Sequence, residues 1–288
     1  MSVSDIKHNL KRVVCQRNDD VGLITQQLKV NGEVSEINNA VLFARPLTVD
    51  SAITFTPVQG SNMSMLEKES IRQPFLLATL DRVDVSFCGE WSVEIITISQ
   101  VSTLFSFLDF QSDQKSTLLV KSSGDDACTP EFHNDRNIII TLKQENKTFM
   151  DMLIYSKLYS KNAQLEGLFS FVRSQESYWI SHFLLSQIMN DFKESDTTKI
   201  YNASKVYGVS ESYFRKLCQQ AFTRGPKKQL RLWRAANSVL QLIDKESSIS
   251  TIAGNNGYAS SSHFSSEIKA FFGMTPREFK KLDFLFHE

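Results

Sequence analysis

Apolar and polar positions follow two different spacings along the chain. Between residues 28 and 145, short apolar runs rich in β-branched and aromatic residues are separated by polar or Pro/Gly breaks. Several of these runs alternate residue by residue, as half-buried strands do. The predicted strands are at residues 40–43, 53–55, 83–87, 93–98, 118–120 and 138–142. Together they predict an antiparallel β barrel or sandwich. Residues 101–112 fit either a helix or a turn-rich insert.

A helical spacing of apolar residues predominates after this region and is also present near the start of the chain. Ser4 is placed to cap a first short helix, and Pro226 stands where a long amphipathic helix can begin, because its missing N–H is not needed there. The predicted helices cover residues 4–17, 147–159, 180–192 and 227–245, and a linker is expected at residues 160–166. The spacing therefore predicts that a helical region follows the strands.

Two short segments in the second half of the chain share one plan. In each, a glycine ends a helix, a serine starts the next helix, and an aromatic residue follows four positions later. These residues are Gly208, Ser210 and Phe214 in the first segment, and Gly257, Ser260 and Phe264 in the second. Glycine relaxes the turn, serine caps the following helix, and the aromatic residue packs that helix on the preceding one. The repeat predicts two helix-turn-helix motifs with second helices over residues 210–220 and 261–271.

Charge is distributed unevenly, although the 288-residue chain has a formal net charge of zero. Residues 199–281 contain fourteen Lys/Arg and five Asp/Glu, so this region carries about +9 and the rest of the chain about −9. A basic half beside an acidic half suggests that one half contacts a polyanion, and an uneven solvated surface is the alternative. The four cysteines form no CxxC pair. With no signal peptide and no apolar run long enough to span a membrane, we expect a cytoplasmic, reduced protein.

The second motif carries the residues of a known family signature. They are Gly257-Tyr258, Ser262-His263-Phe264, Lys269, Phe272-Gly273 and Thr275-Pro276. With them, residues 165–283 resemble the DNA-binding half of the AraC/XylS family of bacterial transcription regulators. A closer resemblance, to the subgroup that activates type III secretion and invasion genes, lies in residues 176–179, 207–210, 230–234 and 256–269.

The resemblance implies an α+β fold with two domains. A β-rich, cupin-like domain with helices over residues 1–160 would serve regulation or partner binding, and a double helix-turn-helix domain over residues 161–288 would bind DNA. The implied partners are double-stranded promoter DNA, RNA polymerase and a secretion-chaperone co-activator. Helices in the position of residues 147–159 often mediate homodimerisation in this family, whereas from sequence alone this helix could equally cover the sheet.

Candidate DNA-binding residues lie on the exposed faces of the two second helices. The family's base-reading positions, carried over residue by residue, imply Ser212, Arg215 and Lys216 in the first helix, and the exposed face of the second helix adds Ser261, Ser262, His263 and Ser266. The phosphate-binding candidates are Tyr213, Lys227, Lys228 and Lys269. The planar fork of Arg215 suits a guanine edge, although phosphate binding alone is the alternative. Arg234 occupies a position that supports the fold in this family.

No motif indicates an enzyme, a cofactor or a metal site. The chain has no GxSxG, P-loop or HExxH sequence, and its histidines and cysteines are not at ligand spacing. Two other functions stay open at this point. One is a regulator switched by a small effector in the barrel, and the other is an interaction protein that sequesters other regulators without binding DNA.

Overall fold

The computed structural model describes residues 27–57, 70–119, 136–142, 148–158, 163–188, 196–222, 224–243 and 247–281. These residues form two compact units. The first contains residues 27–105 and 136–175 as far as they are described, and the second contains residues 106–119 and the chain from Glu176 onward. The division after Gln175 is a property of the packing, and the functional boundary at residue 160 stays a prediction. The helix predicted at residues 4–17 lies outside the described residues.

Within its described residues, the first unit contains eight strands. They are β1 (Leu28–Asn31), β2 (Val34–Ile37), β3 (Ala40–Pro46), β4 (Ala52–Pro57), β5 (Phe75–Thr79), β6 (Val83–Cys88), β7 (Glu90–Thr97) and β8 (Asn137–Thr141). A five-stranded sheet has the order β1-β7-β3-β5-β8, and a three-stranded sheet has the order β2-β6-β4. Every pairing is antiparallel. The predicted antiparallel β architecture is therefore confirmed.

One apolar core lies between the two sheets. Strand β6 alternates buried and partly buried residues, because only one of its faces meets this core. Trp91 of β7 is fully buried, and its indole N–H donates a 3.0 Å hydrogen bond to the carbonyl oxygen of Cys88. The rings of Phe75 and Phe87 pack against Trp91 at centroid distances of 6.0 and 6.3 Å, in edge-to-face arrangements. Large aromatic side chains thus fill the middle of the sandwich.

Strand β5 was not predicted, and the burial of its residues explains why. All five residues from Phe75 to Thr79 are buried, so both faces of this strand are covered. Its sequence is a continuous apolar run and lacks the alternation that identifies a half-buried strand.

The strand predicted at residues 118–120 is wrong at residues 118 and 119, which end helix α1 (Ile98–Leu119). No Pro or Gly interrupts the sequence from Ile98 to Leu119, so the helix continues through this apolar run. The same helix resolves the alternative at residues 101–112, which are helical. Its residues up to Phe105 belong to the first unit, and its residues from Ser106 belong to the second.

Helix α2 (Phe149–Leu158) confirms the helix predicted after the sheet. The buried carboxylate of Glu94 on β7 accepts hydrogen bonds of 3.4 and 3.3 Å from the backbone N–H of Phe149, at the first turn of α2. Phe149, Met152 and Leu153 are all buried within this chain. These side chains therefore cover the interior of their own unit, and the dimerisation role of α2 stays a prediction.

The remaining helices follow α2 in chain order. They are α3 (Ala163–Arg173), α4 (Glu176–Ile188), α5 (Asp196–Tyr207), α6 (Glu211–Phe222), α7 (Pro226–Ile243), α8 (Ile249–Asn255), α9 (Ser261–Phe272) and α10 (Pro276–Lys281). Because α3 begins at Ala163, the predicted linker is wrong at residues 163–166. Leu165 and Leu168 of α3 are fully buried, and these contacts keep this segment helical. The α+β fold class is confirmed.

Within the residues that the structure describes, no helix combines the length and apolar character needed to cross a membrane.

Candidate nucleic-acid interface

The first helix-turn-helix motif consists of α5, a tight turn and α6. Gly208 adopts φ 82°, a left-handed conformation that side chains disfavour, and its N–H donates a 3.1 Å hydrogen bond to the carbonyl oxygen of Lys205. Ser210 then caps α6, because its hydroxyl oxygen accepts a 3.3 Å hydrogen bond from the N–H of Tyr213. Phe214 is fully buried and packs against Tyr207, with 5.5 Å between ring centroids. The turn and the cap form as the sequence predicts.

Helix α6 separates its apolar and polar residues onto opposite faces. Its buried residues are Phe214, Leu217, Cys218, Ala221 and Phe222. Ser212, Tyr213 and Lys216 are exposed, and the Arg215 side chain is 38% exposed. Burial raises the pKa of the Cys218 thiol to about 12, so this cysteine stays protonated inside the motif. The structure therefore brings the candidate residues of the first motif together on the solvent face of α6.

Arg215 forms an ion pair on this exposed face. Its Nε and Nη2 atoms donate to one carboxylate oxygen, Oε1 of Glu211, at 2.8 and 2.6 Å. The two residues are four positions apart, which places their side chains one above the other along the helix. Glu211 also lies in the first turn of α6, where a negative charge interacts favourably with the helix dipole. The Arg215 side chain is thus held in one orientation by its own helix.

The second helix-turn-helix motif consists of α8, a turn with two buried residues, and α9. Gly257 adopts φ 71° in this turn. The Ser260 hydroxyl accepts a 3.1 Å hydrogen bond from the N–H of His263 and so caps α9. Phe264 is fully buried beside Tyr258, with 4.8 Å between ring centroids. The second motif therefore repeats the turn, cap and aromatic contact of the first.

Asn256 anchors this turn through a network of amides. Its side chain is fully buried, and its Nδ2 donates to the Oε1 of Gln241 at 2.9 Å and to the carbonyl oxygen of Ile252 at 2.8 Å. Its Oδ1 accepts a 3.2 Å hydrogen bond from the Nδ2 of Asn237. Asn237 and Gln241 both belong to α7. The sequence places Asn256 in the subgroup segment 256–269 without indicating a role for its side chain, whereas in the structure it links the turn to α7.

Helix α9 presents a surface of small polar residues. Ser261, Ser262, His263, Ser266 and Lys269 are all exposed. Phe264, Glu267 and Ile268 are buried on the opposite face. The structure therefore brings the candidates of the second motif together as well, on a surface with fewer charged groups than that of α6.

The buried face of α9 contains an ionic cluster that the sequence reasoning missed. The Glu267 side chain is 2% exposed, and its Oε2 accepts hydrogen bonds from the Nε and Nη2 of Arg231 on α7 at 3.1 and 2.6 Å. Its Oε1 accepts from the hydroxyl of Tyr258 at 3.2 Å and from the Nη2 of Arg234 at 3.4 Å. A buried carboxylate is stable only with such compensation. The sequence did contain a signal for this cluster. Glu267 is the one acidic residue of α9, and Arg231 and Arg234 lie three positions apart on α7.

The same cluster explains Arg234 and Tyr258. The Arg234 guanidinium carbon lies 4.7 Å from the centroid of the Tyr258 ring, which gives a cation–π contact beside the ion pair. Burial, followed by the nearby charge of Glu267, raises the pKa of the Tyr258 hydroxyl well above its usual range. Tyr258 therefore stays neutral, and its hydroxyl donates a hydrogen bond to the carboxylate. Arg234 supports the fold, as its position in the sequence predicted.

Both motifs pack on α7, the first motif on the first half of the helix and the second motif on the second half. Leu230 and Trp233 pack into a core with α6, while Val239 and Leu242 pack into a second core with α8 and α9. Lys227 and Lys228 are exposed in the first turn of α7. The phosphate candidates on α7 are therefore free of the core. Among the described residues, no group of three or more His, Cys, Asp or Glu side chains is arranged to hold a metal ion.

Helix α10 closes the second motif. Thr275 and Glu278 form a capping box, in which the Thr275 hydroxyl oxygen accepts a 3.3 Å hydrogen bond from the N–H of Glu278. In return, the N–H and hydroxyl of Thr275 donate to Oε2 of Glu278 at 2.6 and 2.8 Å. The hydrogen bond from the Thr275 backbone, together with that from its hydroxyl, lowers the pKa of Glu278. Phe279 and Pro276 are buried in the core shared with α7. The Thr275-Pro276 pair of the sequence signature is thus a helix start.

Comparisons with known proteins bear on this arrangement. A family model described as a helix-turn-helix domain matches residues 203–282, which include both turns, α6 and α9. The transcriptional regulator MxiE of Shigella flexneri is 32% identical over 185 residues, which are 64% of this chain and 84% of MxiE. The invasion protein InvF of Salmonella typhi is 30% identical over 212 residues, which are 74% of this chain and 91% of InvF.

Two solved structures share lower identity with the chain. A transcriptional regulator with an AraC-type DNA-binding domain from Chromobacterium violaceum is 23% identical, with a TM-score of 0.33, and the match covers 36% of this chain and 90% of that one. ToxT of Vibrio cholerae is 12% identical, with a TM-score of 0.39, and the match covers 90% of this chain and 96% of ToxT.

Proposed function

Since the chain belongs to the AraC/XylS family of DNA-binding transcription regulators, we propose that it activates type III secretion and invasion genes by binding their promoters through both helix-turn-helix motifs. The name of one relative refers to invasion and that of the other to transcriptional regulation. The subgroup residues of the sequence, such as those from Tyr207 to Ser210, support the link to type III secretion.

The observation that carries this proposal is the sharing of α7 by the two motifs. Its first half packs on α6 and its second half on α8 and α9, so one rigid helix fixes the separation of the two motifs. With 18 residues, α7 is about 27 Å long. Successive major grooves on one face of a duplex are about 34 Å apart, so a helix of this length suits two recognition helices that enter neighbouring grooves.

In this proposal the two recognition helices have different tasks. Helix α6 discriminates bases through Ser212, Arg215 and Lys216, since arginine is the side chain best suited to a guanine edge. Helix α9 contributes base-edge contacts through exposed small polar groups, which are Ser261, Ser262, His263 and Ser266. Because these groups have weak base preference, α9 mainly positions the protein on the duplex.

Phosphate contacts supply the affinity that does not depend on sequence. We assign them to Tyr213, Lys227, Lys228 and Lys269, all of which are exposed. Arg234 is not assigned this role, since its side chain is only 19% exposed and pairs with the buried Glu267. Arg231 pairs with the same carboxylate, which neutralises part of its charge. The basic surface available to DNA is therefore smaller than the count of cationic residues between residues 199 and 281 indicates.

The remaining parts of the proposal concern partners and location. Residues 1–160 would bind a secretion-chaperone co-activator and contribute to a homodimer, and residues 161–288 would bind DNA and present the activator to RNA polymerase. A promoter-binding regulator acts in the bacterial cytoplasm, where the chromosome lies. The resemblance to the secretion and invasion subgroup supports the chaperone.

DNA binding by the full-length chain tests the proposal. Fluorescence anisotropy would be measured at two salt concentrations with a promoter from upstream of secretion-effector genes and with a scrambled duplex. Each titration would be repeated with a candidate secretion chaperone. We expect the promoter to bind more tightly than the scrambled duplex, with a larger difference when the chaperone is present.

Two other results of these titrations would favour the alternative functions. Promoter preference that is independent of the chaperone would contradict the co-activator and would direct the search to small effectors of the first unit. A chain that binds both duplexes equally under every condition would contradict the proposal and would favour sequestration of other regulators.

A further inference from the structure

Glu211 is an acidic side chain on the exposed face of α6, where the proposed function requires contact with a polyanion. The residue does not face the interior, since its side chain is 35% exposed. Its carboxylate is used by a base-reading candidate, because Oε1 accepts from both Nε and Nη2 of Arg215. An acid at this place reduces affinity for any DNA through repulsion from phosphates, so its presence calls for a benefit elsewhere.

The geometry of the pair leaves part of the Arg215 fork available. A guanidinium group has five N–H bonds, and Glu211 occupies the edge formed by Nε and Nη2. Both N–H bonds of Nη1 and the second N–H of Nη2 point away from this edge. One N–H of Nη1 and the second N–H of Nη2 form the end of the fork, and their spacing matches the O6 and N7 acceptors of guanine. Glu211 thus occupies the side of Arg215 and leaves the guanine-binding end open.

From this arrangement we propose that Glu211 is a specificity-determining residue that positions Arg215 end-on for a guanine. The inference rests on the proposed function, in which α6 reads bases. Glu211 holds the Arg215 side chain in one rotamer before DNA binds, which favours a duplex with a guanine at the matching position. Its charge lowers the affinity for all DNA alike, so the orientation of Arg215 is what raises the ratio of specific to non-specific affinity.

Helix stabilisation alone is the alternative account of this pair. Exposed ion pairs four residues apart in a helix contribute only about 0.3–0.5 kcal/mol. In that case, neutralising Glu211 would change the unfolding free energy slightly and would leave the base preference unchanged. Base preference is therefore the quantity that separates the two accounts.

The test uses the full chain with Glu211→Gln and Glu211→Ala. The matched control is Glu36→Gln, which removes one charge from another exposed ion pair, between Glu36 on β2 and Arg82. Each protein would be titrated with a bound promoter duplex, with a panel carrying every single base-pair substitution in the contacted region, and with a scrambled duplex. The guanine preference is the ratio of dissociation constants at the most guanine-dependent position.

Both Glu211 variants should bind the scrambled duplex more tightly than wild type and should lose about two-fold or more of the guanine preference, since Arg215 keeps its guanine contact but must then be ordered when DNA binds. The Glu36→Gln control should keep the preference. An unchanged preference in the Glu211 variants, or a loss equal to that of the control, would overturn the proposal.

Arg215→Ala separates this inference from the proposed function. If Arg215→Ala loses the preference and the Glu211 variants keep it, Arg215 reads the base without help and only the positioning role fails. If Arg215→Ala also keeps it, base reading by Arg215 fails as well. Circular dichroism of each variant at the assay temperature confirms that the chain is folded.

Discussion

The two recognition helices share a backbone plan but use a Glu–Arg interaction in opposite ways. In α6 the pair lies within one helix and on the solvent face, so that Arg215 stays available for contact. In α9 the acid is buried, and its arginines come from α7. The same two residue types therefore orient an exposed arginine, the proposed base-reading residue, in one motif and fasten the whole helix in the other.

A serine cap, a turn glycine and an aromatic anchor are therefore enough to specify a helix-turn-helix motif, but they do not specify which DNA contacts it makes. The charged residues of α6 lie on its solvent face. The solvent face of α9 carries mainly small polar groups, and its carboxylate is buried. A helix that is fastened by a buried cluster suits a positioning role, since its placement must not change between DNA sequences. A helix with an oriented arginine suits discrimination.

The largest effect should come from Glu267→Ala. The substitution removes a buried carboxylate and leaves Arg234 and Tyr258 without their shared acceptor. Loss of one partner of a buried pair costs about 3–5 kcal/mol, and we expect about 3 kcal/mol because Arg231 can reach solvent. Urea unfolding followed by circular dichroism measures this cost. The matched control is Glu211→Ala, which breaks an exposed pair and should cost about 0.5 kcal/mol or less. Equal costs would contradict the division between the helices.

Arg215→Ala should produce the next largest effect. Loss of a bidentate contact should cost about 1–3 kcal/mol at one base position and relax the preference there. Anisotropy titrations with a panel of single base-pair substitutions measure the change. His263→Ala in α9 is the matched comparison, and it should alter no single position by a similar amount. If the His263 variant showed the larger loss, the tasks of the two helices would be reversed.

Removal of the two helix caps should have similar, smaller effects. Ser260→Ala and Ser210→Ala each delete a hydroxyl that accepts from the first turn of its helix. A capping serine contributes about 1 kcal/mol, so both variants should lose about this much unfolding free energy. Thermal and urea unfolding of the two variants measure it. A much larger loss in only one of them would show that the motifs do not share the plan.

The smallest effect should come from Lys269→Ala. An exposed lysine that contacts phosphate carries no sequence information, so promoter and scrambled duplexes should weaken by the same factor. The magnitude of the slope of log affinity against log salt concentration should fall by about one, because about one fewer counterion is released on binding. Titrations at several salt concentrations measure this slope, and a loss restricted to the promoter duplex would instead assign Lys269 a base contact.

Local signals in the sequence predicted the motifs well. Gly257, Ser260 and Phe264 act on neighbours within a few positions, so their pattern predicts the turn, the cap and the buried anchor without knowledge of the fold. Strand β6, which has one buried face, was also predictable because its alternation is visible along the chain, whereas the four-residue strands β1 and β2 were missed. Strand β5 was missed because burial on both faces removes the alternation.

Partners that are distant along the chain could not be predicted. Glu267 and Arg231 are 36 residues apart, and only the packing of α9 on α7 makes them neighbours. Asn256 similarly gains its role from Asn237 and Gln241. A charged or amide side chain has the same local pattern whether it meets solvent or a buried partner. The position of Arg215 on the solvent face of α6 was predictable from the sequence. Its ion pair with Glu211 became evident only from the side-chain geometry.

The sharing of α7 between two cores has a consequence for how this chain can change in evolution. One residue inserted in the middle of α7 would rotate everything after it by about 100° and advance it by about 1.5 Å. The second motif would then leave the face of the duplex that the first motif meets, even though each motif remained folded. On the proposed function, a one-residue insertion or deletion in α7 would therefore abolish joint binding by the two motifs, whereas substitutions on the surfaces of α6 and α9 would change promoter preference and leave the spacing intact.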